Sequence, residues 1–183
     1  MRSAIERHYQ HCREKGCVQS CPAGSSHYED PPDGCVRLAT EQYDEERHFT
    51  VHTADPQSVT LVAIDKCLIS QRNSSTKRCD CAFYTPGKIA FVEFKLRDPS
   101  RGREQDTRAH RRLEEAAEQL LSSILSFEQQ GFITTEEVEA YAHVGYQQPI
   151  IPAPTTTLTN LEVLLNDQTQ SLVTLFATNE ATL

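Results

Sequence analysis

The chain reads as an α/β domain, a mixed β-sheet flanked by helices, preceded by a cysteine-bearing helix and loop. Three observations predict this class. Short runs enriched in β-branched and aromatic residues cluster between His48 and Leu96. A long stretch then carries Leu113, Ala116, Ala117, Leu120, Ile124 and Phe127 at three- and four-residue spacing, the stripe of a helix lying on a sheet. Strand and helix patterns alternate beyond it, an order that suits helices packed on a mixed sheet.

Element by element, Ser3 with Glu6 three positions later has the spacing of a capping box, and Gly16 should stop the helix it begins. From Cys21 to Gly34 the Pro, Gly, Ser and Asp content indicates a surface loop, and Arg37–Glu46 a short second helix. Residues 1–47 therefore read as an extension of a core spanning 48–183. Strands are expected over His48–Thr53, Val59–Ser70, Cys79–Thr85 and Lys88–Leu96, with Pro86-Gly87 turning the last pair into a hairpin. Arg97–Arg103 is a polar loop, and a helix runs from about Glu104 to Gln129 with Gly131 as its stop. Thr135–Val138 suggests a helical turn, Ala140–Tyr146 a strand, Asn160–Asn166 a last helix and Ser171–Ala177 a last strand. Pro149, Pro152 and Pro154 break any regular element between them.

A chain of 183 residues, 38% hydrophobic and 24% charged, is one domain with a modest core. No apolar run approaches the roughly 18 residues of a membrane span. The start has no apolar run after its basic residue, so no secretory signal is expected. Seven cysteines, none beyond Cys81, argue against a disulfide framework, and the expectation is a reduced, cytoplasmic protein. Charge is uneven: −2 over residues 1–94, +4 over 95–112 and −10 over 113–183, which has no lysine or arginine. Such a chain repels polyanions in general yet can accept one at a single place.

The residues that carry chemistry are Asp80, in Arg78-Cys79-Asp80-Cys81, and Glu93 with Lys95, in Val92-Glu93-Phe94-Lys95, across the expected hairpin. Alternation puts Glu93 and Lys95 on one face, opposite Val92 and Phe94. It puts Asp80 with Ala82 and Tyr84, opposite Cys79, Cys81 and Phe83. Hairpin pairing can then bring two carboxylates and an amine together. Two acids held close repel unless a cation lies between them, and hard oxygen ligands suit magnesium or manganese. On the long helix, Arg108, Arg112, Glu115 and Gln119 fall on one polar flank. Both arginines could hold phosphates without reading sequence.

This arrangement resembles the PD-(D/E)XK nuclease superfamily over roughly residues 59 to 146, with Asp80 as the first acid and Glu93-Phe94-Lys95 as the second half of the motif. Cys79 stands where that family often has proline. The resemblance implies a restriction-endonuclease-like αβββαβ core and metal-dependent hydrolysis of phosphodiester bonds, in DNA before RNA. Asp80 and Glu93 would bind Mg2+ or Mn2+, Lys95 would position the attacking water, and Gln119 would assist. A glutamate on the first helix often completes such a site, and Glu6 and Glu41 are the candidates. A nuclease of this size often serves a larger assembly, for example in defence against foreign DNA, so a protein partner or a homodimer is open. Two other readings stand beside it. One is a catalytically inactive binding or assembly subunit of the same fold. The other is a zinc-binding interaction module, in which Cys12, Cys17, Cys21 and Cys35 close a tetrahedral Zn2+ site. Cys79 and Cys81 are expected to be core residues.

Overall fold

The computed structural model describes residues 1–22, 24–53, 59–69, 77–95, 106–134, 137–143 and 155–183, with side chains of 106–110 and 155 outside the description. It is a mixed α/β fold in three layers. One core cluster lies between the helices and one face of a six-stranded sheet, and the second lies between the other face and a four-stranded sheet.

The N terminus is broken into α1 (Arg2–His8) and α2 (Cys12–Lys15), the latter ended by Gly16 in the left-handed region, as its position suggests. The expected capping box does not form. The helix begins after Met1 without a side-chain cap, and Glu6 turns to Arg2 (2.9 Å) and Arg13 (3.2 Å). β1 (Val18–Ser20) then joins the large sheet beside β5 (Thr60–Ala63). The segment expected as a surface loop contains β2 (Gly24–Glu29), which pairs with β4 (Phe49–Thr53). Its polar composition is misleading because Ser26 and Tyr28 are buried, while Ser25–His52 (2.9 Å) and His27–Thr50 (3.0 Å) satisfy one another across the strands. No helix occupies Arg37–Glu46. Arg37 and Leu38 form β3 on the edge of β2, and turns follow, with the Asp44 carboxylate accepting from the Glu46 N–H. Residues 1–47 are thus woven into both sheets rather than appended.

The large sheet continues with β6 (Cys81–Tyr84) and β7 (Ile89–Phe94), antiparallel across a turn closed by Thr85 N–H to the Lys88 carbonyl (2.8 Å). The strand expected over Val59–Ser70 stops at Ala63. The chain then folds into a tight turn through Lys66, and Ile69 returns beside Asp65. After α3 (Asp106–Gln129), which ends before the left-handed Gly131, β8 (Glu137–His143) lies parallel to β7. Glu137 and Val138 are strand where a helical turn was expected; Thr135, Glu136 and Tyr146 lie outside the described residues, as do the loop over Arg97–Arg103 and the three prolines. α4 (Thr155–Gln168) leads to β9 (Leu172–Phe176), parallel to β8, and β10 (Glu180–Thr182) crosses to the small sheet beside β4.

The outer edge of β9 is occupied by α4. Asn166 pairs with both the N–H (2.8 Å) and the carbonyl (2.7 Å) of Val173, and Glu162 accepts from Leu175 N–H (2.8 Å). Side chains thus block an edge that would otherwise template another strand.

The cysteines depart most from expectation. Cys17 and Cys67 are disulfide-bonded, with Cα atoms 5.5 Å apart, so the chain is not fully reduced. Cys12 packs in the helix-side core and Cys21 between the sheets, and Cys35 is half-buried against the helix-side core. Cys12, Cys17, Cys21 and Cys35 therefore do not form the expected zinc site. Among the described residues no group of three or more His, Cys, Asp or Glu is arranged to hold an ion. Cys79 and Cys81 are both core residues, but on opposite sides of the sheet, because the regular strand begins only at Cys81. No described helix is long and apolar enough to cross a membrane.

Candidate functional site

The register of the hairpin builds the site. Cys81 pairs with Val92, so Asp80, one residue before β6, stands opposite Glu93, near the end of β7. Ile89 and Phe91 belong to the helix-side core and Ala90, Val92 and Phe94 to the inter-sheet core, so Glu93 projects towards α3. Both carboxyls are buried: Glu93 is 1% exposed and Asp80 7%. Lys95 Nζ lies 2.8 Å from Glu93 Oε1 and is 23% exposed, so its ammonium joins the buried pair to solvent.

Each anchor of this pair comes from a different segment. Asp80 Oδ2 accepts the Phe94 N–H at 2.7 Å, and the Asp80 carbonyl accepts from Ile64 and Asp65 (2.8 and 3.2 Å). From α3, Gln119 donates to the Arg78 carbonyl (2.8 Å), Ser123 Oγ accepts from Cys79 N–H (2.8 Å), and Arg112 donates to the Lys95 carbonyl (3.2 Å). The backbone of Lys95 is also tied to His143 of β8 (2.8 Å). Gln119 and Arg112 thus hold the two chain segments that carry the acids and the amine. The side chain of Arg108 lies outside the described residues.

The electrostatics follow from this confinement. Burial, then the nearby Asp30 and Asp65 carboxylates, push Asp80 up to about 7, against the opposing hydrogen bonds from Phe94 and Glu93. Glu93 is pushed well above the carboxylate range by burial and by Asp80, with Lys95 pulling the other way. Glu93 Oε2 is buried and meets no donor other than a proton shared with the Asp80 carboxyl. Two buried carboxyls facing each other can share a proton or accept a hard cation. Magnesium keeps several waters and needs only one or two carboxylates, so this pair fits it. Neither Glu6, paired with arginines, nor Glu41, exposed and near Arg47, joins as a third ligand.

Three residues beside the pair have no counterpart in the sequence motif. Asp65 pairs with Arg78 (2.6 Å), and Lys66 donates to Asp30 (3.0 and 3.3 Å) and to the Pro31 carbonyl (3.2 Å). Burial raises Asp30 and works to lower Lys66, but Asp30, Asp80 and Asp65 together hold the Lys66 ammonium above its ordinary value. The available signal was Asp65-Lys66 itself, a charged pair interrupting the apolar run from Val59 to Ile69. Comparison with family models, curated proteins and solved structures returned no match.

Proposed function

We propose that the chain is a divalent-metal-dependent nuclease that hydrolyses phosphodiester bonds, acting on DNA in preference to RNA. The observation that carries this reading is the buried, facing pair of Asp80 and Glu93 with the Lys95 ammonium on Glu93. The run of three antiparallel strands, β5, β6 and β7, followed by α3 and the parallel β8, supports a restriction-endonuclease-like core, with α2 and β1–β4 lying between α1 and β5 in the chain.

Asp80 and Glu93 would hold Mg2+ or Mn2+. A bound divalent ion supplies an acidified water and charge stabilisation at a phosphoryl oxygen. Lys95, at the solvent side of the pair, would hold that water's oxygen through its ammonium. Gln119 acts at one remove, as a positioning residue that fixes the Arg78 carbonyl two residues before Asp80. The −10 charge of residues 113–183 discourages duplex from spreading over that half, so contact would be local or shared with a partner subunit.

One observation favours a second reading, a non-catalytic binding or assembly subunit: among the described residues no third acid completes the pair. The test is cleavage of single- and double-stranded DNA and RNA with magnesium or manganese, wild type against Glu93→Gln and Lys95→Ala. The nuclease reading expects metal-dependent cleavage lost by at least about a hundredfold in both variants with folding intact. Equal behaviour of all three proteins would favour the non-catalytic subunit.

A further inference from the structure

Resting on the nuclease reading and deepening it, we propose that Lys66 is a substrate-positioning residue of the same pocket, parked on Asp30 in the free protein and released to hold a phosphate oxygen of the bound strand. Among the described residues Lys66 is the only non-glycine with a left-handed backbone, φ 62°. A Cβ disfavours that conformation, and glycine would serve a purely structural turn better. The strain persists because the turn is held from every side. Cys67 is bonded to Cys17, Leu68 and Ile69 return to the carbonyls of Ala63 and Ile64 (3.1 and 3.0 Å), and Ile64 and Asp65 donate to the Asp80 carbonyl. The turn that strains Lys66 is therefore the one that touches the proposed metal-binding aspartate.

The ammonium's present partners look exchangeable. Its ion pair with Asp30 joins side chains 36% and 21% exposed, an arrangement that stabilises little. Of Lys66, Lys95 and Arg78, Lys66 is the most exposed, at 36% against 23% and 14%. Lys95 is engaged by Glu93 and Arg78 by Asp65. A phosphate approaching Asp80 and Glu93 meets two further carboxylates, Asp30 and Asp65, and needs a compensating charge. Lys66 can supply it by exchanging one carboxylate for a phosphate oxygen, using a compact cation with three donors.

The test uses a fluorophore-labelled DNA duplex, with steady-state cleavage in magnesium and anisotropy binding in chelator. Lys66→Ala is expected to raise KM and Kd about tenfold with kcat within about twofold of wild type, and Lys66→Arg to recover most of the loss. Lys66→Gly should bind as poorly as Lys66→Ala while melting at a higher temperature, a combination that a structural role would not give. Asp30→Asn, which removes the parking partner, should lower KM. A wild type that cleaves, with Lys66→Ala and Lys66→Gly at unchanged KM and Kd, overturns the role of Lys66 and leaves the nuclease reading intact. Binding weakened by Lys66→Ala, with a wild type that binds DNA but shows no cleavage in magnesium or manganese, removes the nuclease reading and keeps the phosphate contact. A wild type that neither cleaves nor binds overturns both.

Discussion

Replacing Asp80 by asparagine should stabilise the metal-free protein at neutral and alkaline pH while abolishing cleavage. The folded-state value of Asp80, about 7, lies above its ordinary 3.8, so between those values the folded protein holds a proton that the unfolded chain has released. The stability tied to that proton is fully present below about pH 4 and is lost as pH rises through about 7. At 1.36 kcal/mol per unit, a span of about three units sets an upper bound of about 4 kcal/mol. Burial and the Asp30 and Asp65 carboxylates raise the cost of its charge, and the hydrogen bonds from Phe94 and Glu93 reduce it. Asparagine keeps the oxygen that accepts the Phe94 N–H and carries no charge at any pH.

Thermal unfolding in chelator at pH 4 and pH 8 measures the effect. Wild type and Asp80→Asn should be close at pH 4. At pH 8 the variant should melt higher, by up to about 10 °C for a domain of this size. Magnesium at about one hundred times its Kd should then restore about 2.7 kcal/mol to the wild type and nothing to the variant. An Asp80→Asn protein no more stable than wild type at pH 8, with the same slope between pH 4 and 7, would refute the buried-charge argument.

His143 should act in the opposite sense. Burial, with His48 beside it, lowers it from 6.5 to about 4, so its contribution is present above pH 6.5 and lost as pH falls through 4. His143→Phe, in a pocket already formed by Phe49 and Phe94, should remove an acid-side loss of up to about 3 kcal/mol in urea titrations at pH 4 to 7. Reducing the Cys17–Cys67 bond, which spans a sequence separation of 50, or replacing both cysteines by serine, should lower unfolding free energy by up to about 4 kcal/mol in urea. Gln119→Ala should cost about 1 kcal/mol of stability and reduce kcat rather than raise KM, because the lost contact is to the Arg78 carbonyl and not to substrate.

The hairpin was readable because its signals are local. Pro86-Gly87 fixes the register, and register with alternation places Asp80, Glu93 and Lys95 together. The stripe from Leu113 to Phe127 was readable for the same reason, since all six residues are buried and five of them, all but Ala117, belong to the helix-side core. What escaped depends on pairing between distant segments. β2 looks like a loop because its outer face is satisfied by His52 and Thr50, whose partnership no local pattern announces. The Cys17–Cys67 bond and the Lys66–Asp30 contact join segments separated by 50 and 36 residues, and spacing along the chain carries no trace of either. The zinc reading failed for this reason: four cysteines near in sequence were divided between two cores and one disulfide.

These long-range ties also explain why the acid pair stays where it costs stability. Like charges in a soft pocket would separate, but Asp80 is held by the Phe94 N–H, by the turn after β5 and, through Arg78 and Cys79, by α3. Glu93 is held within β7, between β6 and β8. With both strands pinned, repulsion can be relieved only by a proton or by a cation, and the choice between them is set by pH and by the ion available. A purely structural pair would do better with one acid replaced by a neutral residue. The presence of both, beside an ammonium that reaches solvent, is therefore the feature that supports the proposed metal-dependent chemistry of this pocket.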